Sequence, residues 1–216
     1  MSRPVVIIDY DSGNLRSVQK ALESVGTPAV LTRDPGLIKD AGAVVLPGQG
    51  AFRDCVTKLE NYGLFELVRD KIEEDVPFLG ICVGFQLLFE ESEEHGVTPG
   101  FGVFKGKVVR FPHDMRGEDG SLLKVPHMGW NSLKKVRDVD LLGGVNDGDY
   151  VYFVHSYYPV PEEEGVIATK TTYGLEFVSS VARGNLYACQ FHPEKSQRVG
   201  LEILRAFWAK ASAAIG

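Results

Sequence analysis

The chain has 216 residues, with 23 Lys+Arg against 29 Asp+Glu and a formal charge of −6. That length suits a single α/β domain over residues 1–216, and 44% hydrophobic residues can build a core without a disulfide or metal staple. The acidic balance disfavours a nucleic-acid partner, and three cysteines with no C-x-x-C pair argue against a disulfide framework or zinc ribbon.

The first residues turn acidic after a short apolar run, too short for a signal-peptide core. No stretch approaches the ~18 apolar residues of a membrane span. A soluble cytoplasmic protein with reduced thiols is expected.

Along the chain, Val5–Ile8 is a continuous apolar run, the mark of a strand buried on both faces of a parallel sheet. Leu15, Val18, Leu22 and Val25 then recur at helical spacing until Gly26. Ala43–Leu46 reads as a second buried strand ended by Pro47-Gly48, with helical stretches at Phe52–Leu59 and Leu64–Glu74. Val76–Ile81 is a third strand, and it runs through Cys82 into a helix-compatible stretch, Val83–Glu91. This alternation predicts a doubly wound, mostly parallel sheet flanked by helices.

The second half reads differently. Shorter strands at Lys107–Phe111, Tyr150–His155, Val166–Thr171, Val178–Ala182 and Asn185–Phe191 predict additional antiparallel pairing. Phe111–Leu123 is polar and Gly-rich, a surface loop. An amphipathic helix, Val199–Ala211, closes the fold.

Three short segments carry chemistry. Gly80-Ile81-Cys82-Val83-Gly84 falls at a strand-to-helix junction. Glycines there permit a sharp turn that projects the thiol from the carboxyl end of the sheet, where a helix start favours thiolate. The Val83 N–H would be an oxyanion donor. On the residues alone, Cys82 reads equally as a small core residue. Gln190-Phe191-His192-Pro193-Glu194 follows a strand and offers a base with a carboxylate two residues away. A surface His beside a solvated Glu is the competing reading. Pro47-Gly48-Gln49-Gly50 ends the second strand, and its glycines allow backbone N–H groups to turn toward an oxyanion. Cys189 in a strand and Cys55 in a helix read as core. No phosphate-binding loop, dinucleotide fingerprint or metal-spaced cluster is present, so no cofactor or metal is expected.

Together these segments resemble the class I, triad-type glutamine amidotransferases, with Gly80-Ile81-Cys82-Val83-Gly84-Phe85-Gln86 as the G-x-C-x-G-x-Q elbow followed by H-P-E. Gly13–Val18, Pro126-His127-Met128-Gly129-Trp130-Asn131 and Tyr152–Tyr158 are similar, more narrowly, to the glutaminase subunits of imidazole glycerol phosphate synthases. The likeness spans nearly the whole chain. H-x-G-W-N discriminates most, because anthranilate, GMP and CTP synthetase glutaminases are not expected to carry it. One departure is Gln49, where the family often has P-G-V-G.

The resemblance implies Cys82 as nucleophile, His192 as general base and acid, and Glu194 as its orienting carboxylate. It implies an oxyanion hole from Val83 and the Gly48–Gly50 turn. Gln86 and Glu94, with backbone near Ser156 and Tyr157, would hold glutamine. Ammonia released into water at neutral pH is mostly protonated, so it needs an enclosed path to an acceptor site on another chain. The resemblance implies that this partner is a cyclase subunit of (β/α)8 barrel type, forming a heterodimer in histidine biosynthesis. Asn14, Arg16, His127, Met128, Gly129, Trp130 and Asn131 are the expected contact residues. The residues themselves leave open a glutaminase for another synthase, a partner-independent cysteine hydrolase, and a non-catalytic binding module.

Overall fold

The structure, a computed structural model, describes residues 3–215. The apolar run at Val5–Ile8 forms β1, buried at all four positions. Helix α1 (Leu15–Ser24) follows, with Val18 and Leu22 on its buried stripe. Then come β2 (Ala29–Thr32), α2 (Pro35–Lys39), β3 (Ala43–Gly48), α3 (Phe52–Asn61), α4 (Phe65–Glu73) and β4 (Phe78–Cys82). β2 carried no strong signal: it is a four-residue strand at the sheet's margin with only Ala29 buried. β3 and β4 are buried throughout, as a central parallel strand must be.

After β4 the structure departs from expectation. The helix-compatible stretch Val83–Glu91 is helical for one turn only, α5 (Val83–Gln86), before the chain extends as β5 (Phe89–Ser92). β5 pairs with β6 (Thr98–Pro99) and, in parallel, with β7 (Phe104–Arg110). Non-local pairing decides the conformation of Phe89–Ser92, which an 11-residue window cannot see.

The second half comprises β8 (His127–Ser132), β9 (Lys134–Lys135), β10 (Tyr150–His155), β11 (Tyr157–Pro161), β12 (Ile167–Tyr173), β13 (Leu175–Arg183), β14 (Leu186–Cys189) and the closing helix α6 (Gln197–Ile215). The main sheet runs β2-β1-β3-β4-β14-β13-β12-β9. Its β2-β1-β3-β4-β14 portion is parallel, and β13, β12 and β9 run antiparallel to their neighbours. A two-stranded sheet, β10-β8, and a four-stranded sheet, β11-β7-β5-β6, flank it.

This topology positions the chemistry. β4 lies between β3 and β14, with Gly48 in register with Cys82 and Cys189 in register with Ile81. The ends of three adjacent parallel strands therefore converge, where ligands bind in open α/β sheets. Among the described residues, no helix is long and apolar enough to cross a membrane.

Candidate active site

Cys82 ends β4 with φ 55° and ψ −112°, a left-handed backbone in a non-glycine residue. Such conformations cost about 1–3 kcal/mol and persist only where the surroundings enforce them. Here they do. A Cβ at Gly84 would lie 1.9 Å from the Leu46 carbonyl oxygen, and one at Gly48 would lie 2.6 Å from the Gly84 nitrogen. The flanking glycines let β3 and the elbow interlock. Because α5 is a single turn, the helix dipole expected to favour thiolate is small, which leaves the side chain beside the sulfur as the stronger neighbour.

That neighbour is His192. The chain leaves β14 extended, and the 3-10 turn Pro193–Lys195 swings Glu194 back onto the ring. Glu194 Oε1 lies 2.8 Å from His192 Nδ1, with the two side chains 1% and 5% exposed. The ring is anchored through its backbone: His192 N–H donates to Tyr152 O at 2.9 Å, and Ser196 Oγ donates to His192 O at 2.6 Å. Burial alone would lower the proton affinity of His192. The neighbouring sulfur of Cys82, reinforced by the Glu194 carboxylate, outweighs it and raises the pKa to about 10. Nε2 is buried and, among the described residues, has no hydrogen-bond partner. A protonated imidazole is thus held beside the sulfur.

The other two cysteines lack this arrangement. Burial raises the pKa of both Cys55 and Cys189, and each thiol donates to a main-chain carbonyl, of Gln49 and Phe191 respectively. They are core residues, as expected.

A cavity of about 250 Å³ opens over Cys82. Gly50, Val83, Gln86, Glu94, Ser156 and Tyr157, all singled out from the sequence, line it with Cys82. Gln86 Nε2 donates to Tyr157 O at 3.0 Å and to Gln190 Oε1 at 3.1 Å. Glu94 Oε2 accepts the Phe52 N–H at 2.7 Å, which fixes the carboxylate at the start of α3.

Gly48 sits behind the cavity wall, packed on the elbow, while Gly50 faces the cavity at φ +91°. Between them Gln49 is pinned. Its N–H donates to Ser12 Oγ at 3.1 Å, Ser12 Oγ donates back to Gln49 O at 2.8 Å, and Tyr10 Oη donates to Pro47 O at 2.6 Å. The departure from P-G-V-G thus alters a side chain, while main-chain bonds set the turn.

The expected contact residues divide. Asn14 and Arg16 are exposed. Met128 and Trp130 are 62% and 45% exposed and lie two positions apart on β8. Gly129 and Asn131 are half-buried, with the Asn131 amide donating to Thr172 O at 2.9 Å. His127 corrects the expectation: it is 3% exposed and stacked between Phe153 and Tyr173. Strand alternation explains the split, since Met128 and Trp130 point outward while His127 points in.

Sequence reasoning missed Gln190, whose Nε2 lies 3.7 Å from Cys82 Sγ, and His155, which lines the cavity. Both had a signal. Gln190 precedes His192 by two positions on one strand extension, and His155 lies inside Tyr152–Tyr158.

Residues 6–211 match the family model described as glutamine amidotransferase class-I. The chain is 54% identical to the imidazole glycerol phosphate synthase subunit HisH of Geobacter metallireducens, covering 94% of this chain and 96% of that protein. It is 50% identical to the HisH of Aquifex aeolicus, covering 95% and 96%. Among solved structures it superposes on a glutamine amidotransferase crystal structure with TM-score 0.72 at 22% identity, covering 96% of this chain and 98% of that one. The Trypanosoma brucei CTPS glutaminase domain superposes with TM-score 0.65 at 15% identity, covering 97% and 94%. At these identities the superpositions speak for the fold. With the sequence matches, they lead to one conclusion: the chain belongs to the class-I glutamine amidotransferases and, within them, to the HisH subunits of imidazole glycerol phosphate synthase.

Proposed function

We propose that residues 1–216 act as one glutaminase domain that hydrolyses glutamine to glutamate and ammonia at Cys82, His192 and Glu194. The observation that carries this reading is the strained Cys82 beside an imidazole raised to about 10 by the sulfur and by Glu194. The Cys82 thiolate attacks the side-chain amide carbon of glutamine. Main-chain N–H groups of Val83 and Gly50 stabilise the oxyanion. The His192 imidazolium gives its Nε2 proton to the leaving nitrogen, ammonia departs, and a thioester remains. Neutral His192 then takes a proton from water, whose oxygen attacks the thioester, and glutamate leaves as the thiolate–imidazolium pair is restored. Glu194 holds the ring in one orientation and stabilises its charged form throughout. Gln86, Glu94 and the strand around Ser156 and Tyr157 bind the amino-acid end of the substrate.

The ammonia serves a cyclase subunit of (β/α)8 barrel type, with which the chain forms a heterodimer in the cytoplasm. That subunit makes imidazole glycerol phosphate and aminoimidazole carboxamide ribotide in histidine biosynthesis. Exposed Met128 and Trp130 favour partner-dependent activity over a free-standing hydrolase, because Trp and neighbouring apolar groups concentrate binding energy at interfaces. The test mixes the purified chain with the cyclase subunit and measures glutamate with and without the acceptor nucleotide. Stimulated glutamate release is expected, and its absence in the complex would overturn the proposal.

A further inference from the structure

Two buried histidines, His155 in the cavity wall and His127 behind it, are not used by the hydrolytic steps. His127 and His155 face each other across the β8-β10 pair, with His127 Nδ1 3.1 Å from His155 Nε2. The outer bonds determine every tautomer. A carbonyl can only accept, so His155 Nδ1–H donates to Tyr157 O at 2.9 Å, which makes Nε2 of the neutral ring an acceptor. His127 must then donate from Nδ1, leaving its Nε2 to accept from Asn131 Nδ2 at 3.2 Å. The Asn131 amide is itself oriented, since its nitrogen donates to Thr172 O at 2.9 Å and its oxygen accepts the Ser132 N–H at 2.8 Å. The proton order is therefore one-directional, from Asn131 through both rings to the Tyr157 carbonyl. Burial supports it by keeping both rings neutral, with pKa values lowered to about 4 for His127 and about 3 for His155.

The end of this chain matters. Tyr157 O also accepts from Gln86 Nε2, which donates in turn to Gln190 Oε1, and Gln190 Nε2 reaches Cys82 Sγ. Both lone pairs of one carbonyl are thus occupied, one by the histidine pair and one by Gln86, which in turn bonds the Gln190 amide beside the nucleophile. We infer that Asn131, His127 and His155 form a positioning relay that fixes the Tyr157 carbonyl, and through it Gln86 and the glutamine-binding wall. The relay touches neither the sulfur nor the triad. It rests on the glutaminase reading above.

Its signature is a change in substrate binding without a change in the intrinsic reactivity of Cys82. In the complex with the cyclase subunit, His155→Leu removes the donor to Tyr157 O. The expected result is a KM for glutamine about tenfold higher, the effect of one lost hydrogen bond, with kcat within about twofold of the parent. Labelling of Cys82 by a diazoketone analogue of glutamine slows by a similar factor, while alkylation by iodoacetamide is unchanged. His155→Asn places an amide N–H where Nδ1–H stood and is expected to recover most of the loss. If His155→Leu fails to fold, His127→Leu breaks the relay one link earlier and is read the same way. An unchanged KM in a folded variant, equal slowing of both labels, or no recovery in His155→Asn would overturn the relay. If the parent complex itself releases no glutamate, the glutaminase reading has failed instead.

Discussion

His192 and His155 are both almost inaccessible, at 4% and 6% exposure, yet their proton affinities move in opposite directions. Desolvation acts on each in the same sense, against the charged ring. Around His192 it meets the sulfur of Cys82 and the Glu194 carboxylate, and the outcome is a cation held to about pH 10. Around His155 and His127 it meets aromatic rings, chiefly Phe111, Phe153, Phe177 and Tyr173, and a second imidazole, so both stay neutral. The lesson is that burial selects no role. Partners do, and one fold holds both a proton-carrying histidine and a tautomer-locked pair.

The contrast can be broken most severely at the sulfur. Cys82→Ala is expected to lower glutamine hydrolysis by on the order of 10⁵-fold, since triad residues act as a unit. Synthesis by the complex from added ammonium salt should survive, and assaying both products checks this. Glu194→Gln keeps the shape of the carboxylate and removes its charge. A loss of about 10²–10⁴-fold in kcat is expected. NMR titration should find the His192 pKa below about 10 in the same variant, because one of the groups holding the proton is gone.

Gly84→Ala tests whether the elbow is enforced by packing. The new methyl would meet the Leu46 carbonyl, and destabilisation of about 3 kcal/mol is expected in denaturant unfolding. The smallest effect separates the two histidine environments by pH. For His127 and His155 the folded pKa is depressed, so the unfolded chain binds more protons below about pH 6.5. Their contribution to stability is full above that pH and is lost as pH falls toward 4. A loss of stability in denaturant unfolding is expected as pH falls from 6.5 to 4, and it should be smaller in His127→Asn. His192 has the opposite sign: its raised pKa contributes stability below pH 6.5 that is lost as pH rises through about 10.

The two regions also differ in how far the sequence reveals them. The elbow is legible because its constraints are local: Gly80, Cys82 and Gly84 fall within five residues, and an apolar run announces the strand that feeds them. Glu194 lies two residues from His192, and a single 3-10 turn brings them together. The histidine relay joins Asn131 and His127 on β8 to His155 on β10 and Tyr157 on β11, through strand pairings that no short window contains. His127 was therefore expected at a surface, although alternation with exposed Met128 and Trp130 carried the sign of burial. The helical pattern of Val83–Glu91 failed similarly, because β5 is set by β6 and β7.

All three cysteines are buried free thiols, and the function proposed here depends on only one of them being the nucleophile. The direct test incubates the complex with a diazoketone analogue of glutamine and maps the adduct by peptide mass spectrometry. One adduct on Cys82 is expected, blocked by excess glutamine and absent in Cys82→Ala, with Cys55 and Cys189 unmodified. An unmodified Cys82, or an adduct on Cys55 or Cys189 that abolishes glutamate release, would contradict the assignment.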